Sequence, residues 1–252
     1  MKLFLKISYL GTAYSGYQTQ KNGLGIQQVI GEATARLFGV RCDICGCSRT
    51  DRGVHAREFC LTVCEHGKNE LVTTVPDDGI LRALNTYLPP DIAVTYVDWR
   101  PQNFHARYSV TGKQYLYRIY DSPVRSPFVE GRALHYPRRI DDEKLAAMQR
   151  AAAFIVGKHD FASFMASGSD VTDCERTVTR AELVRDGDML NFYIAADGFL
   201  YNMVRIIVGT LLEVAEGKRA PDSIPALIAS RDRRNAGRTA PACGLYLDKV
   251  FY

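Results

Sequence analysis

The first hundred residues change hydrophobic period four times, which restricts the fold more than any other feature of the chain. Residues 2–9 alternate in the two-residue period of a strand. Over 25–38 the apolar positions Ile26, Val29/Ile30, Ala33 and Leu37 recur at helical spacing. Residues 59–64 read as a second strand. A second helix covers 77–88, stopped by Pro89-Pro90, and 92–97 form a third strand. The order β-α-β-α-β builds an α+β half, with helices on one face of a sheet.

The remainder repeats the mixture. Residues 113–120 alternate strictly, with Lys113, Tyr115, Tyr117 and Ile119 on one face and Gln114, Leu116, Arg118 and Tyr120 on the other. Asp141-Asp142-Glu143 opens a helix through Met148, Ala151, Ala152 and Ile155 that ends at Gly157. Phe161 and Phe164 read as core, and His159-Asp160 as a satisfied turn. A hairpin folds around Asp186-Gly187. Residues 198–213 form a helix apolar nearly all round, hence buried, with Arg205 at its centre. A buried guanidinium needs a carboxylate or a cleft, because an unpaired buried ion is costly. Pro221 starts a last helix to Ala229, a basic loop spans 231–238, and 244–252 form a closing strand. We expect two domains, 1–105 and 106–252, with the boundary near 104–109.

Length and composition admit this plan. The 252 residues suffice for a sizeable core, and 46% hydrophobic with 24% charged residues is ordinary for a soluble globular protein. No apolar run reaches the ~18 residues of a membrane span, and the N-terminal strand lacks a signal-peptide cleavage site. The expected address is cytoplasmic. Seven cysteines cannot all pair within one chain. Cys42-x-x-Cys45 with Cys60-x-x-x-Cys64 is loosely zinc-like, but the second pair reads as strand thiols and neither has the turn glycines of a zinc knuckle. No metal site is expected. A net charge of +4 is compatible with a nucleic-acid partner without establishing one.

Chemistry concentrates in 46–56, Gly-Cys-Ser-Arg-Thr-Asp-Arg-Gly-Val-His-Ala. This segment lies between two apolar-rich runs, where a scaffold presents reactive groups. Asp51 has Arg49 and Arg52 beside it in sequence, which favours an ionised carboxylate. Such an Asp can be a nucleophile, a general base or half of a structural ion pair. Upstream, 10–20 form a loop whose tyrosines and glutamines suit base stacking and loop packing equally.

Residues 48–56, Ser-Arg-Thr-Asp-Arg-Gly-Val-His-Ala, resemble the catalytic-loop signature of the TruA family of tRNA pseudouridine synthases, in which the Asp is catalytic. Residues 9–20 resemble the family's first motif, with Tyr17 at a position where Trp is common and Leu10 where Asp is usual. Phe104-His105-Ala106-Arg107 and the strand from Lys113 resemble the second. Phe199 to Gly209 resemble the third, and Gly244-Leu245-Tyr246-Leu247 the C-terminal pattern. The likeness runs from the first strand to the last, in the family's order.

The resemblance implies two ferredoxin-like α+β halves joined in one mixed, mostly antiparallel sheet with a central active-site cleft. It implies a cofactor-independent isomerase converting uridine to pseudouridine in the anticodon stem-loop of tRNA, at positions 38 to 40. By the same likeness Asp51 is the nucleophile, Tyr115 stacks on the target base with its hydroxyl available for proton transfer, and Arg205 pairs with Asp51. Arg49, Thr50, Arg52, His55, Tyr17, Gln18, His105, Arg107 and Lys113 are the expected substrate-binding residues. The implied partners are tRNA and a second copy of the chain, with no membrane. A non-catalytic tRNA-binding module, and a hydrolase that frees the base, are the rival readings.

Overall fold

Strand β3 (His55–Glu65) is the spine of the first half of the chain. Strand β1 (Lys2–Tyr9) runs antiparallel along one edge, Leu3 opposite Val63 and Tyr9 opposite Ala56. The other edge is shared end to end. Strand β2 (Cys42–Gly46) takes Leu61 to Glu65 in antiparallel register, while the closing strand β10 (Leu245–Phe251) runs parallel and meets His55 and Ala56. Strand β4 (Ile92–Arg100) lies outside β1, antiparallel. Leu3, Leu5 and Ile7 of β1 and Phe59, Leu61 and Val63 of β3 are fully buried. Phe4, Cys60 and Thr62, which alternate with them, are buried as well, so the sheet is covered on both faces along this stretch.

Helix α1 (Ile26–Phe38) buries Ile26, Ile30, Ala33 and Thr34, and Gly39 ends it in the left-handed region at φ 71°, donating its N–H to Ala35 O. Helix α2 (Asp77–Tyr87) has Asp77 and Asp78 in its first turn, where the helix dipole favours carboxylates. Its Asn85 side chain bonds both the N–H and the C=O of Val94, fixing α2 to β4.

The computed structural model describes residues 1–168 and 171–252 and divides into two units, Met1–Thr111 with Tyr246–Tyr252, and Gly112–Leu245. The sequence-based boundary at 105/106 lies six residues earlier and keeps the last strand in the second domain. The pairing of Tyr246 and Leu247 with His55 and Ala56 groups that strand with the first unit instead.

In the second unit strands β5 (Gly112–Tyr120), β9 (Met189–Ala196), β8 (Glu175–Asp186) and β7 (Gly157–Asp160) lie side by side in that order, all antiparallel. A two-residue strand β6 (Leu134–His135) runs parallel to β5. Helix α3 (Asp142–Ala153) is capped by the Asp141 side chain, which accepts from the Lys144 N–H, and it packs on helix α4 (Met203–Ala215). Helix α5 (Ile224–Ser230) follows a short 3-10 turn, Pro221–Ser223. Both units are α+β, with mostly antiparallel sheets.

A buried carboxylate organises one end of this unit. Asp121 is fully buried and accepts two bonds of 2.9 Å from Arg185, one of 3.3 Å from Arg139 and one of 3.0 Å from the Ile140 N–H. The fork geometry and the added amide offset the desolvation of the pair.

Several expectations are corrected. The helix expected over 198–213 begins at Met203, because Asn202 adopts the left-handed region at φ 59° and breaks the periodicity ahead of it. Arg205 therefore lies in the first turn of α4, not at its centre. His159-Asp160 belongs to strand β7, paired with Arg176 and Glu175, and is not a turn. Gln114 and Leu116 are as buried as Tyr115 and Tyr117, since β5 is covered on both sides. Among the described residues no helix is long and apolar enough to cross a membrane, and no group of three or more His, Cys, Asp or Glu could hold a metal. All seven cysteines are free thiols.

Burial pushes the Cys60 thiol from its ordinary 9.0 up to about 12. A raised folded-state value keeps the thiol neutral, so its contribution is complete below pH 9 and is lost as pH rises through the folded value. Urea unfolding at pH 8, 9.5 and 10.5 should therefore show stability falling by up to ~1.4 kcal/mol per pH unit from this group. Cys60→Ala should flatten that part of the slope.

Candidate active site

The Asp51 loop leaves β2 and enters β3, and its shape follows from its glycines. The Val54 N–H donates to Asp51 O at 3.1 Å, closing a four-residue turn, and Gly53 supplies the φ of 78° that its third position needs. Asp51-Arg52-Gly53-Val54 is thus a sequence written for a tight turn with the carboxylate at its first position. The loop is also held from behind. The Tyr17 N–H donates to Thr50 O at 3.0 Å, and the Tyr9 hydroxyl and Thr50 Oγ1 share a 2.8 Å bond. The Gly11 N–H donates to His55 Nδ1 at 2.9 Å, and the His55 ring lies 4.6 Å from the Tyr246 ring.

Two of these contacts admit glycine alone. A Cβ on Gly11 would fall 2.0 Å from Val54 O, and one on Gly16, at φ 104°, would fall 2.7 Å from Thr50 O. The loop after β1 and the loop before β3 are in backbone contact, a closeness that any side chain would block.

The expected site residues fall into distinct roles. Asp51 is half-buried, while Arg49 and Arg52 are exposed, and neither arginine forms an ion pair among the described residues. Adjacency in sequence did not become contact, because alternate side chains leave a tight turn in different directions. Thr50 and His55 are buried and serve as pins of the loop, not as an open binding surface. Tyr17 is 3% exposed and stacks on Phe59 at 4.2 Å, so its ring packs the protein and is not free to stack on a base. Its hydroxyl is buried with no partner among the described residues, a state that costs about 1–3 kcal/mol.

Beside the loop is a cavity of about 280 Å³, whose walls include Tyr17, Gln18, Gly46, Arg49, His105 and Arg107. His105 is held in one tautomer. Its Nδ1 accepts from the Arg107 N–H at 3.1 Å and the Tyr108 N–H at 3.2 Å, which leaves the ring proton on Nε2. Burial first, then the nearby Lys2 and Arg107 charges, lower its pKa from 6.5, so the ring is neutral at pH 7. Cys45 Sγ lies 3.7 Å from Nε2. This cavity carries no signal in the sequence beyond the short span 104–108, because its two walls are separated by some sixty residues.

In the second unit Tyr115 is 8% exposed and meets Phe199 edge-on at 4.9 Å. Arg205 donates from Nε to Ala240 O at 2.7 Å and from Nη1 to Asn202 Oδ1 at 2.8 Å, and Ala240 N–H returns a bond to Arg205 O. The guanidinium is aimed by backbone and amide groups. Lys113 lies at the start of β5, half-buried. The basic loop is largely engaged within the protein, with Arg231 on Asp160 at 2.9 Å and Arg234 on Asp232 at 2.7 Å.

Gly16→Ala tests the backbone contact behind the carboxylate. The strained φ and the clash should lower unfolding free energy by about 2 kcal/mol, read by urea denaturation.

A family model described as tRNA pseudouridine synthase matches residues 151–252. Over nearly the whole chain the sequence is similar to proteins named tRNA pseudouridine synthase A. That of Acetivibrio thermocellus is 45% identical, covering 98% of each chain. That of Ruminiclostridium cellulolyticum is 42% identical over 100% of this chain and 99% of its own, and that of Clostridium acetobutylicum is 40% identical over 98% of both. With relatives this similar across its full span, the chain belongs to the tRNA pseudouridine synthase A family, whose members are isomerases that act on tRNA.

Proposed function

We propose that this protein converts uridine to pseudouridine in the anticodon stem-loop of tRNA, at positions 38 to 40, with Asp51 as the catalytic carboxylate. The observation that supports the reading most is the Asp51 turn, a half-buried carboxylate held from behind by Gly11, Gly16 and Tyr9, with exposed arginines on either side. A group kept in place by backbone contact before substrate arrives is pre-organised for chemistry.

The reaction conserves atoms and electrons. The bond from N1 of uracil to C1′ breaks, the base turns, a bond from C5 to C1′ forms, the C5 proton leaves and N1 gains one. Neither oxidant nor group donor is required, so we expect no cofactor. The target base must leave the stack, at a few kcal/mol in paired RNA, and Arg49 is the residue we assign to the vacated space. Asp51 either attacks the uracil ring or acts at the ribose so that the glycosidic bond breaks. We assign Tyr115 to stacking on the base and to removal of the C5 proton, and Arg205 to the ion pair that holds Asp51 ionised, following the resemblance. We place the enzyme in the cytoplasm, bound to tRNA phosphates with a salt-dependent affinity.

Mapping of pseudouridine in unmodified tRNA, with and without the protein, tests the reaction and its position. Asp51→Asn should lower turnover by roughly 10⁴-fold or more and leave tRNA binding intact, with Arg205→Ala affecting turnover in the same direction. Turnover by Asp51→Asn close to that of the parent, or release of free uracil, would overturn the assignment. A non-catalytic module would bind tRNA and modify none. We also propose a homodimer, carrying twice the +4 of each chain. Light scattering on the purified protein should return the dimer mass, and a monomer at micromolar concentration would contradict it.

A further inference from the structure

We propose that the loop joining β5 to β6 is the surface through which two copies of this chain associate, with Phe128 near the two-fold axis and Val124 beside it. The inference rests on the homodimer proposed above and assigns it a surface.

Residues 121–133 form an Ω-shaped loop whose ends meet. Strand β6 returns beside β5, with Leu134 opposite Ile119 and His135 opposite Tyr120, and the Tyr136 N–H donates to Tyr120 O at 2.8 Å. His135 Nε2 donates to Ser122 O at 2.9 Å and ties the neck. Inside the loop the Val129 N–H donates to Ser126 O at 3.2 Å and the Arg132 N–H to Val129 O at 2.9 Å, two turns in succession. Pro123 and Pro127 restrict the backbone further, since each ring fixes its φ. The loop is thus shaped by its own bonds before any partner arrives.

Compact loops of this kind are packed by their own side chains. This one turns its largest side chain outward. Phe128 is 89% exposed and Val124 71%, Pro123 and Pro127 face solvent with them, and Ala133 at the neck is buried. Among the described residues no other large hydrophobic side chain is as exposed as Phe128. Apolar groups held out on a stiff support mark an interaction site.

Charge selects the occupant. Arg125 and Glu130 stand exposed on either side of Phe128 in the chain, and neither forms an ion pair among the described residues. A two-fold axis near Phe128 carries Arg125 of one copy toward Glu130 of the other, and the same pair recurs across the axis. The surface is then complementary to itself, with an apolar centre and one pair of opposite charges at each rim. RNA fits it less well, because a polyanion drawn to Arg125 and Arg132 would meet Glu130 between them. Each chain carries a net +4, so the long-range field opposes association and the contact depends on apolar burial and these local pairs.

Phe128→Glu isolates the contact, because a side chain this exposed contributes little to the fold of a single copy. Far-UV circular dichroism should match the parent. Sedimentation equilibrium at micromolar protein should return the dimer mass for the parent and a Kd raised at least about 30-fold for the variant, the size of a hot-spot residue. Arg125→Glu and Glu130→Arg should each weaken the dimer, since each sets like charges against one another across the axis. Combined in one chain, the two changes should restore it toward the parent Kd.

A Phe128→Glu protein that remains as firmly dimeric as the parent overturns this surface and leaves the homodimer standing. Should that dimer also bind tRNA more weakly than the parent, the loop is an RNA contact instead. A monomeric parent overturns both the homodimer and its surface. A double variant no tighter than the single ones overturns the pairing of Arg125 with Glu130. None of these masses depends on turnover, so loss of the proposed reaction would not decide the surface, nor the surface the reaction.

Discussion

Backbone against backbone, made possible by two missing side chains, is the contact on which the candidate site depends. Gly11 lies against the Val54 carbonyl and Gly16 against the Thr50 carbonyl, so the segment after β1 and the segment before β3 are fixed to each other without intervening rotamers. Side chains add to this but do not replace it. His55 and Thr50 close the same interface through Gly11 and Tyr9, and both are buried. The carboxylate of Asp51 is thereby carried by the first unit's sheet and not by a free loop, which is how a rigid scaffold delivers a reactive group within the tolerance that chemistry requires.

The same economy applies in the second unit. Arg205 is aimed through Ala240 O and Asn202 Oδ1, and the segment bearing Ala240 approaches α4 because Gly209 leaves room for the Arg238 carbonyl, which a Cβ would meet at 1.7 Å. A long cation near a hydrophobic helix is oriented here by neutral acceptors, a backbone carbonyl on Nε and a side-chain amide oxygen on Nη1.

Much of this was legible in the residues, for identifiable reasons. The helices α1 and α2 follow their hydrophobic periods because each buries one face, and β1 and β3 were legible as apolar runs even though Phe4, Cys60 and Thr62 are buried along with the residues that alternate with them. The loop motif was legible because its turn demands Gly53 at one position and its contacts demand Gly11 and Gly16 at others. Legibility failed where tertiary context overrode local pattern. Strand β5 is covered on both sides, so its alternation of Lys113, Gln114, Tyr115 and Leu116 marks no inside and outside. The apolar run before Met203 looked helical, yet one residue in the left-handed region, Asn202, delays the helix and moves Arg205 to its first turn. Tyr17 read as a stacking residue, and it does stack, but on Phe59. The cavity by His105 could not be read at all, since periodicity says nothing about which distant loops share a wall.

The closing strand has a consequence for the order of assembly. It completes the edge of β3 where the Asp51 loop ends, and its Asp248 pairs with Arg57 across 191 positions of chain. All of Gly112–Leu245 must therefore be synthesised before the first unit can finish its own sheet. Closing so long a loop is entropically expensive and delays the step that depends on it. During translation the loop exists early while its final edge partner arrives last. A nascent or truncated chain would thus present the motif without its full support, and the finished geometry is confined to chains that have been made to residue 251.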